Sequence, residues 1–287
     1  MKARLCFGIL LVIGCASTSV GQPFAARSAT VELDYAGSSG LTRGLANVGD
    51  FSASRMSLAA DWLASERGTW KLGTSYRLQS FYSDGPAPLP SRVHAASLTA
   101  TIVERRDRWT LVGRIAPGIY SDLEDIGLGD FNIPAVVTAA YAWSPKLDLL
   151  LGLRFDARNE IPVVGGPGLR WKPAEAWTLN LFFPRPELVW RFREDLSFRL
   201  GGAFVGGSYR VGERFGSDRG EPQLNDTQLT YREIRAVAGC TWQIGRSSSV
   251  QLDAGAVVNR RLSFDDRKLQ FGGGVAPFVS LAWTLRF

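Results

Sequence analysis

Apolar residues alternate with small or polar residues along most of the chain, in runs of about ten residues, the length of a tilted strand that crosses a bilayer. The clearest run lies at the carboxyl end, where Val279, Leu281 and Leu285 share one face and Ser280 and Thr284 share the other. Successive side chains of a strand point to opposite faces, so this period of two predicts strands with one apolar face. The pattern is typical of the wall of a membrane-spanning β-barrel.

The connections between these runs alternate in length. Tight turns, such as RRD at 105–107 and SPK at 144–146, follow the even-numbered runs, whereas most connections after odd-numbered runs are long, such as 117–134. Segregated turns and loops are typical of outer-membrane barrels, and a soluble sandwich has no reason to separate them. We therefore predict an all-β fold, a transmembrane up-and-down antiparallel β-barrel of about 14 strands, with 12 as the main alternative if segment 168–172 or 187–193 merges with a neighbour. The predicted segments are 29–36, 54–63, 69–82, 92–104, 108–116, 135–143, 147–158, 168–172, 176–183, 187–193, 195–209, 227–244, 249–260 and 270–287.

Composition excludes two other classes of chain. A mean hydropathy of −0.02 is too low for a protein built from apolar membrane-spanning helices. A disordered chain is excluded because 45% of the 287 residues are hydrophobic and 11% are aromatic, which is enough to build an extensive apolar surface.

The amino terminus has the features of a secretory signal peptide. A positively charged start, MKAR, precedes an apolar stretch over 5–14 and then a run of small residues. We expect a signal peptide at 1–21 and a mature barrel at 22–287, exported to the outer membrane of a Gram-negative cell. Cleavage would leave Cys240 without a partner for a disulfide, and the sequence leaves open whether Cys15 carries a lipid.

Aromatic residues predict where the membrane boundary lies. All nine tryptophans lie within a few residues of a tight turn or of the carboxyl end. Indole rings settle between hydrocarbon and water, so these residues predict a girdle at the periplasmic interface. The terminal Phe287 ends the last amphipathic run and is similar to the signal read by the barrel-insertion machinery. The predicted girdle consists of Trp62, Trp70, Trp109, Trp143, Trp171, Trp177, Trp190, Trp242 and Trp283.

Two stretches resemble a known family. They are AYAWSPKLDLLLGLRFD at 140–156 and EIPVVGGPGLRWKPAEAWTLNLFFPRPELVWRF at 160–192, and the spacing of Pro162, Trp171 and Pro184 is their most specific part. Over roughly residues 111–287 the chain resembles an uncharacterised family of outer-membrane β-barrel proteins, catalogued as a domain of unknown function. The resemblance implies an integral outer-membrane barrel, and it implies no activity and no site.

The polar face of the runs predicts a lumen with charges of both signs and a cationic excess. The functional prediction is a porin-like passage for small solutes with at most a weak anion preference. The alternative is a closed structural or ligand-binding barrel whose charges pair with one another. A barrel of more than about eight strands cannot fill its interior with wall side chains, and loop 117–134 is the predicted plug. The predicted pore-lining residues are Arg77, Arg114, Arg154, Asp156, Arg170, Arg191, Arg199, Glu233, Arg235 and Asp253.

Catalysis and metal binding have little support in the sequence. His94 is the only histidine, and no nucleophile–base motif of an outer-membrane lipid hydrolase accompanies it. The acidic residues of loop 117–134 match no calcium-loop spacing. We therefore predict a protein that is not an enzyme, with no catalytic residue, no metal and no cofactor. An outer-membrane lipid hydrolase is the further alternative to the passage and the closed barrel. The predicted partners are outer-membrane lipids, the insertion machinery and small solutes, and dispersed basic residues argue against nucleic acid.

Overall fold

The computed structural model describes residues 28–64 and 69–287, and the signal peptide predicted at 1–21 lies outside them. No helix within these two ranges is both long and apolar enough to cross a membrane. The strand segments are β1 (Ser28–Arg43), β2 (Ala46–Ala64), β3 (Trp70–Ser83), β4 (Arg92–Arg106), β5 (Trp109–Ile115), β6 (Gly118–Ser121), β7 (Phe131–Asn132), β8 (Ala135–Ser144), β9 (Leu147–Phe155), β10 (Val163–Ala174), β11 (Trp177–Leu181), β12 (Glu187–Arg191), β13 (Leu196–Arg210), β14 (Gln228–Ile244), β15 (Ser248–Phe264), β16 (Leu269–Gly273) and β17 (Ala276–Arg286).

These segments form a closed antiparallel barrel of fourteen strands. Three strands are interrupted, so that β6 continues β5, β7 leads into β8, and β16 leads into β17. The first strand closes the barrel, because Val31 of β1 pairs with Leu58 of β2 on one side and with Trp283 of β17 on the other. The 14-strand prediction is confirmed, since β10 and β12 are separate strands that pair with β11 on either side.

The apolar face of the wall points outward. On β9, Leu149, Leu151 and Leu153 are 41–53% exposed, whereas Leu150, on the opposite face, is 5% exposed. Antiparallel pairing keeps outward residues beside outward residues from strand to strand, so the same alternation builds an apolar belt around the barrel. Because closure satisfies the strand edges, this belt can face hydrocarbon without exposing unpaired backbone groups along most of the wall.

Every tryptophan of the predicted girdle lies near a tight turn or the carboxyl end and is 37–62% exposed. Trp177 and Trp190 stack across β11 and β12 with ring centroids 5.8 Å apart. Their role as a girdle at the periplasmic interface remains a prediction. Phe287 directly follows β17 and is exposed.

A hydrophobic cluster fills part of the lumen at the long-loop end. Residues 211–227, between β13 and β14, fold back into the barrel, and we call this loop the plug. Its Val211, Phe215 and Leu224 are fully buried, and the Phe215 ring lies 5.9 Å from that of Phe264. The wall contributes lumen-facing apolar residues from β1–β4 and β13–β16. The cluster comprises Leu41, Phe51, Ala53, Phe81, Leu89, Val93, Ala95, Tyr209, Val211, Phe215, Leu224, Leu229, Tyr231, Leu262, Phe264 and Phe271.

The plug is therefore not the loop that the sequence predicts. In loop 117–134, Leu128 is 94% exposed and Ile126 is 64% exposed. The acidic side chains of this loop bond to β13 and to the start of the plug, because Arg210 pairs with Asp130 at 3.4 Å and the Gly212 N–H donates to Asp122 at 2.8 Å. These bonds hold the loop across the barrel mouth, while its Leu123, Ile126, Leu128 and Phe131 side chains remain exposed.

Candidate functional site

A charged layer lies in the lumen beside the hydrophobic cluster. The Arg235 guanidinium donates to Glu233 at 2.7 Å and to Asp34 at 2.9 Å, which ties β14 to β1. Arg260 of β15 donates to the other oxygen of Glu233 at 3.0 Å and to the Phe51 carbonyl at 3.2 Å. These four charged residues are all at least 94% buried.

The charges in this layer balance. Arg55 pairs with Glu32 at 2.9 Å and with Asp34 at 3.6 Å. The layer thus holds three cations, Arg55, Arg235 and Arg260, and three anions, Glu32, Asp34 and Glu233. A separate ion pair joins Arg199 to Asp253 on the same side of the lumen. The cationic excess predicted from the sequence is therefore neutralised in this part of the lumen.

Arg260 is a member that sequence reasoning missed. Strict alternation along 249–260 predicts that Asn259 faces the lumen, whereas a bulge at Val258 shifts the register between β14 and β15. Ile234 pairs with Asn259 and Arg235 pairs with Val257, so Asn259 points outward and Arg260 points inward. A bulge inserts one residue into a ladder and reverses the faces beyond it. The adjacent apolar pair Val257–Val258, which breaks the alternation, was the available signal.

The other predicted pore-lining residues are spread over the lumenal face. Arg154 pairs with Asp156 at 3.0 Å, and Arg170 lies 3.7 Å from Asp148. Arg77 lies beside the Tyr209 hydroxyl, next to the hydrophobic cluster. Arg114 and Arg191 lie nearer the tight turns and are exposed. The structure thus brings Glu233 and Arg235 into one network and pairs Arg199 with Asp253, while the other six lie outside that layer.

The contact between β6 and β13 narrows the lumen above this layer. Ser121 pairs with Arg210 in a parallel bridge, although β6 and β13 are not neighbours in the wall. The Asp122 N–H donates to the Arg210 carbonyl at 3.1 Å, which strengthens the same contact. The bridge therefore spans the barrel mouth from one wall to the opposite wall.

Two cavities among the described residues bear on the lumen. The smaller, of about 30 Å³, lies among the charged residues and is lined by Asp34, Arg199 and Arg235. The larger, of about 550 Å³, lies between β9, β10 and β13 and is lined by Arg154, Gly166, Phe182 and Val205, among others. This larger cavity is of the size that small-molecule sites usually have.

The described residues offer no group of three His, Cys, Asp or Glu side chains that could hold a metal ion. His94 shares a 2.8 Å hydrogen bond with the Tyr76 hydroxyl. Its ladder partner is Leu78, and the adjacent Val93 and Ala95 belong to the lumenal cluster. His94 is therefore on the outer face, away from the lumenal Ser97, which bonds to Ser75 at 2.8 Å.

A closed barrel with an apolar outer belt and a charged, plugged lumen defines a channel-like transmembrane β-barrel of the outer-membrane type. The chain belongs to the family described as Domain of unknown function (DUF6268), whose profile matches residues 67–272. The family prediction from the sequence is confirmed, and the match begins earlier than the residue 111 at which the resemblance starts. A search of curated proteins finds no match.

Solved structures with a similar fold are outer-membrane channels. The COG4313 outer membrane channel from Pseudomonas putida F1 has a TM-score of 0.50 at 10% identity, covering 93% of this chain and 97% of that chain. A TodX monoaromatic hydrocarbon channel mutant has a TM-score of 0.47 at 8% identity, with coverages of 93% and 91%. The NanC porin has a TM-score of 0.42 at 8% identity, with coverages of 90% and 100%. At these identities the first likeness concerns the fold alone, and the other two carry no further argument.

Proposed function

We propose that this protein is an outer-membrane channel for small solutes whose axial path is closed by the plug. The observation that carries the proposal is the position of Val211, Phe215 and Leu224, which are fully buried inside a fourteen-strand barrel. A wall of that size encloses more space than its own side chains fill, so a loop that fills the remainder acts on passage through the lumen.

The two ends of the lumen support a channel that is closed at one side. The long-loop end is filled by the hydrophobic cluster, whereas Arg114, Arg170 and Arg191 stay exposed toward the tight turns. Exposed charges of this kind line a hydrated vestibule. Because most lumenal charges near the plug are paired, they support at most a weak anion preference, as the sequence predicts. The alternative is a closed structural barrel that passes nothing.

Location and biogenesis form part of the same proposal. Export by a signal peptide at 1–21 would deliver the barrel to the periplasm, where Phe287 would be read by the insertion machinery. The outward apolar belt and the tryptophans near the tight turns support lipids of the outer membrane as the surrounding solvent.

Planar-bilayer recording of the refolded protein tests this function. We expect small, infrequent conductance from the wild type and a large, stable conductance when residues 213–225 are replaced by a short Gly-Ser linker. The matched control replaces 123–129, within the exposed loop, and keeps both Asp122 and Asp130. A plug-shortened barrel that folds but conducts nothing would favour the closed structural barrel. A large steady conductance of the wild type would show that the plug does not close the path.

A further inference from the structure

The barrel wall has a gap between β10 and β13. Residues 163–168 of β10 pair with β9, and on their other side the described strands offer no partner, because β11 joins β10 only from Leu169 onward. On the far side of the gap, all of β13 pairs with β14 along one edge. Along its other edge, β13 pairs with β12 only as far as Gly201. The hairpin of β11 and β12 is therefore too short to fill the wall over its full height.

The β10 edge of the gap has the features of an unpaired strand edge. The Asp156 N–H donates to the Pro162 carbonyl at 2.8 Å, and the Lys172 N–H donates to the Lys146 carbonyl at 2.8 Å. Even-numbered residues of β10 thus bond to β9, and the odd-numbered Pro167 faces the gap. Proline lacks an N–H and occurs in sheets at such edge positions.

Hydrogen bonds bound the gap at both ends, the lower end being the one nearer the tight turns and the upper end the one nearer the long loops. At the lower end, the carbonyls of Pro184 and Pro186 accept hydrogen bonds from the N–H groups of Phe204 and Gly202 of β13, at 2.9 and 2.8 Å. At its upper end Asn159 donates to Ser208 at 2.9 Å, which ties the β9–β10 loop across the outside of β13. The gap is therefore an opening in the wall with hydrogen-bonded segments at both ends, and we call it the lateral opening.

The larger cavity passes through the lateral opening. Its lining includes Gly166 and Val205, whose ladder partners Gly152 and Glu233 face the lumen. It also includes Phe204, whose partner Ile234 is on the outer face. One cavity lined by both faces of a wall connects the lumen with the surroundings of the barrel.

The outer end of this cavity faces lipid tails. Phe183 and Phe204 form its lower rim with ring centroids 4.9 Å apart. On β14, Arg232 lies ten residues (242 − 232) from Trp242. At the usual rise and tilt of barrel strands, ten residues span about 25 Å along the barrel axis. This distance equals the height of the apolar band of an outer-membrane barrel. Arg232 pairs with Glu160 at this level, so the aromatic rim below it lies at the depth of acyl chains.

The inner end of the cavity is covered by an aromatic side chain. The Phe182 ring lies over Gly152 and Gly168, where a methyl group on either glycine would collide with it. A Cβ at Gly166, by contrast, would meet no atom within 4 Å and would project into the cavity. Phe182 therefore separates the cavity from the lumen nearer the tight turns, and Gly166 is a position at which the cavity can be filled.

We propose that the lateral opening is an entry and binding site for small apolar molecules, which partition from the outer leaflet sideways into the lumen past Phe183 and Phe204. Its volume of about 550 Å³ admits a molecule of one or two aromatic rings. The site would give apolar solutes a path to the lumen although the plug closes the axial path. Passage of these molecules from the opening through the lumen rests on the proposed channel function. Their binding in the lateral opening does not rest on it.

Photolabelling in lipid nanodiscs with trifluoromethyl-phenyldiazirine, a small apolar probe, tests occupancy. Lipid-facing Leu149 and Leu151 supply an internal reference, because the probe reaches them from the bilayer whatever the cavity holds. We expect label on lumenal Val205 and Phe182 as well, and we expect excess naphthalene to lower the label on these two residues alone. In Gly166→Trp the label on Val205 should fall about tenfold relative to Leu149.

The control variant is Gly113→Trp. A Cβ at Gly113 would likewise meet no atom within 4 Å, and the ladder neighbours Ile102 and Val137 are exposed on the outer face. The label pattern of this variant should match the wild type. If Gly166→Trp does not fold, Gly166→Leu makes the same test with a smaller side chain.

The proposal would be overturned by absence of label on Val205 in the wild type, by label there that naphthalene does not displace, or by equal label in Gly166→Trp. Label on Val205 only from a lipid carrying the diazirine on its acyl tail would assign the opening to a membrane lipid and would also overturn it. If only the channel function were wrong, the plug-shortened barrel would show no conductance in planar bilayers, while the labelling of the wild type would remain as expected.

Discussion

At the scale of single residues, Glu233 is the centre of the lumenal charge network. It accepts from Arg235 and Arg260 and contacts the Tyr231 hydroxyl, although it is 1% exposed. Alternation along β14 predicts that Glu233 and Arg235 face the lumen together. It could not predict Arg260 as their partner, because the bulge at Val258 depends on the pairing of two strands and leaves only a faint trace in one of them.

Glu233→Gln should destabilise the barrel more than Glu32→Gln. Loss of the Glu233 charge leaves two buried guanidinium groups without their shared counter-ion, which costs about 3–5 kcal/mol. Glu32 pairs with Arg55, but its side chain is 25% exposed, so the same change there should cost at most about 1 kcal/mol. Urea unfolding in lipid vesicles, followed by tryptophan fluorescence, measures both. Equal losses for the two variants would contradict a central role for Glu233.

At the scale of elements, strands and turns were predictable, whereas the identity of the plug was not. The alternation that defines each strand is local, but loop 117–134 and the plug both combine apolar with acidic residues. The Asn225 side chain holds the folded plug together, because it accepts from the N–H groups of Gly216 and Ser217 at 2.8 and 2.9 Å. Hydrogen bonds of this kind depend on the folded geometry of the loop, which its composition does not reveal.

Phe215→Ala should loosen the plug. Removing a fully buried ring costs about 3–5 kcal/mol and leaves a cavity beside Phe264, so the plug should leave the lumen more often. The expected result is more frequent and longer conductance events in planar bilayers, with no large change in barrel content by circular dichroism. Phe131→Ala, in the exposed loop, is the matched control and should conduct like the wild type. If Phe131→Ala opened the barrel and Phe215→Ala did not, the plug would be the loop at 117–134.

At the scale of the whole molecule, the barrel presents apolar side chains to its surroundings and keeps its charges inside. This arrangement was predictable, because charged residues share one face of the alternating runs and apolar residues share the other. The gap between β10 and β13 was not, because residues 163–167 lack the alternation and fall in a predicted connection, whereas the structure places them in β10. The missing partner is determined by the length of β11 and β12. Closure of the wall is thus a property of pairing between strands.

The orientation of the belt predicts the cost of a charge at its surface. Leu151 lies in the middle of β9 and is 53% exposed, so Leu151→Arg would place a guanidinium in hydrocarbon and should destabilise the barrel by about 2–4 kcal/mol. Leu128→Arg makes the same chemical change at a loop residue that is 94% exposed and should cost close to nothing, because water surrounds that side chain. Unfolding of both variants in vesicles of one lipid composition gives the comparison. A barrel that tolerates arginine at Leu151 as well as at Leu128 would have water, and not lipid, outside β9.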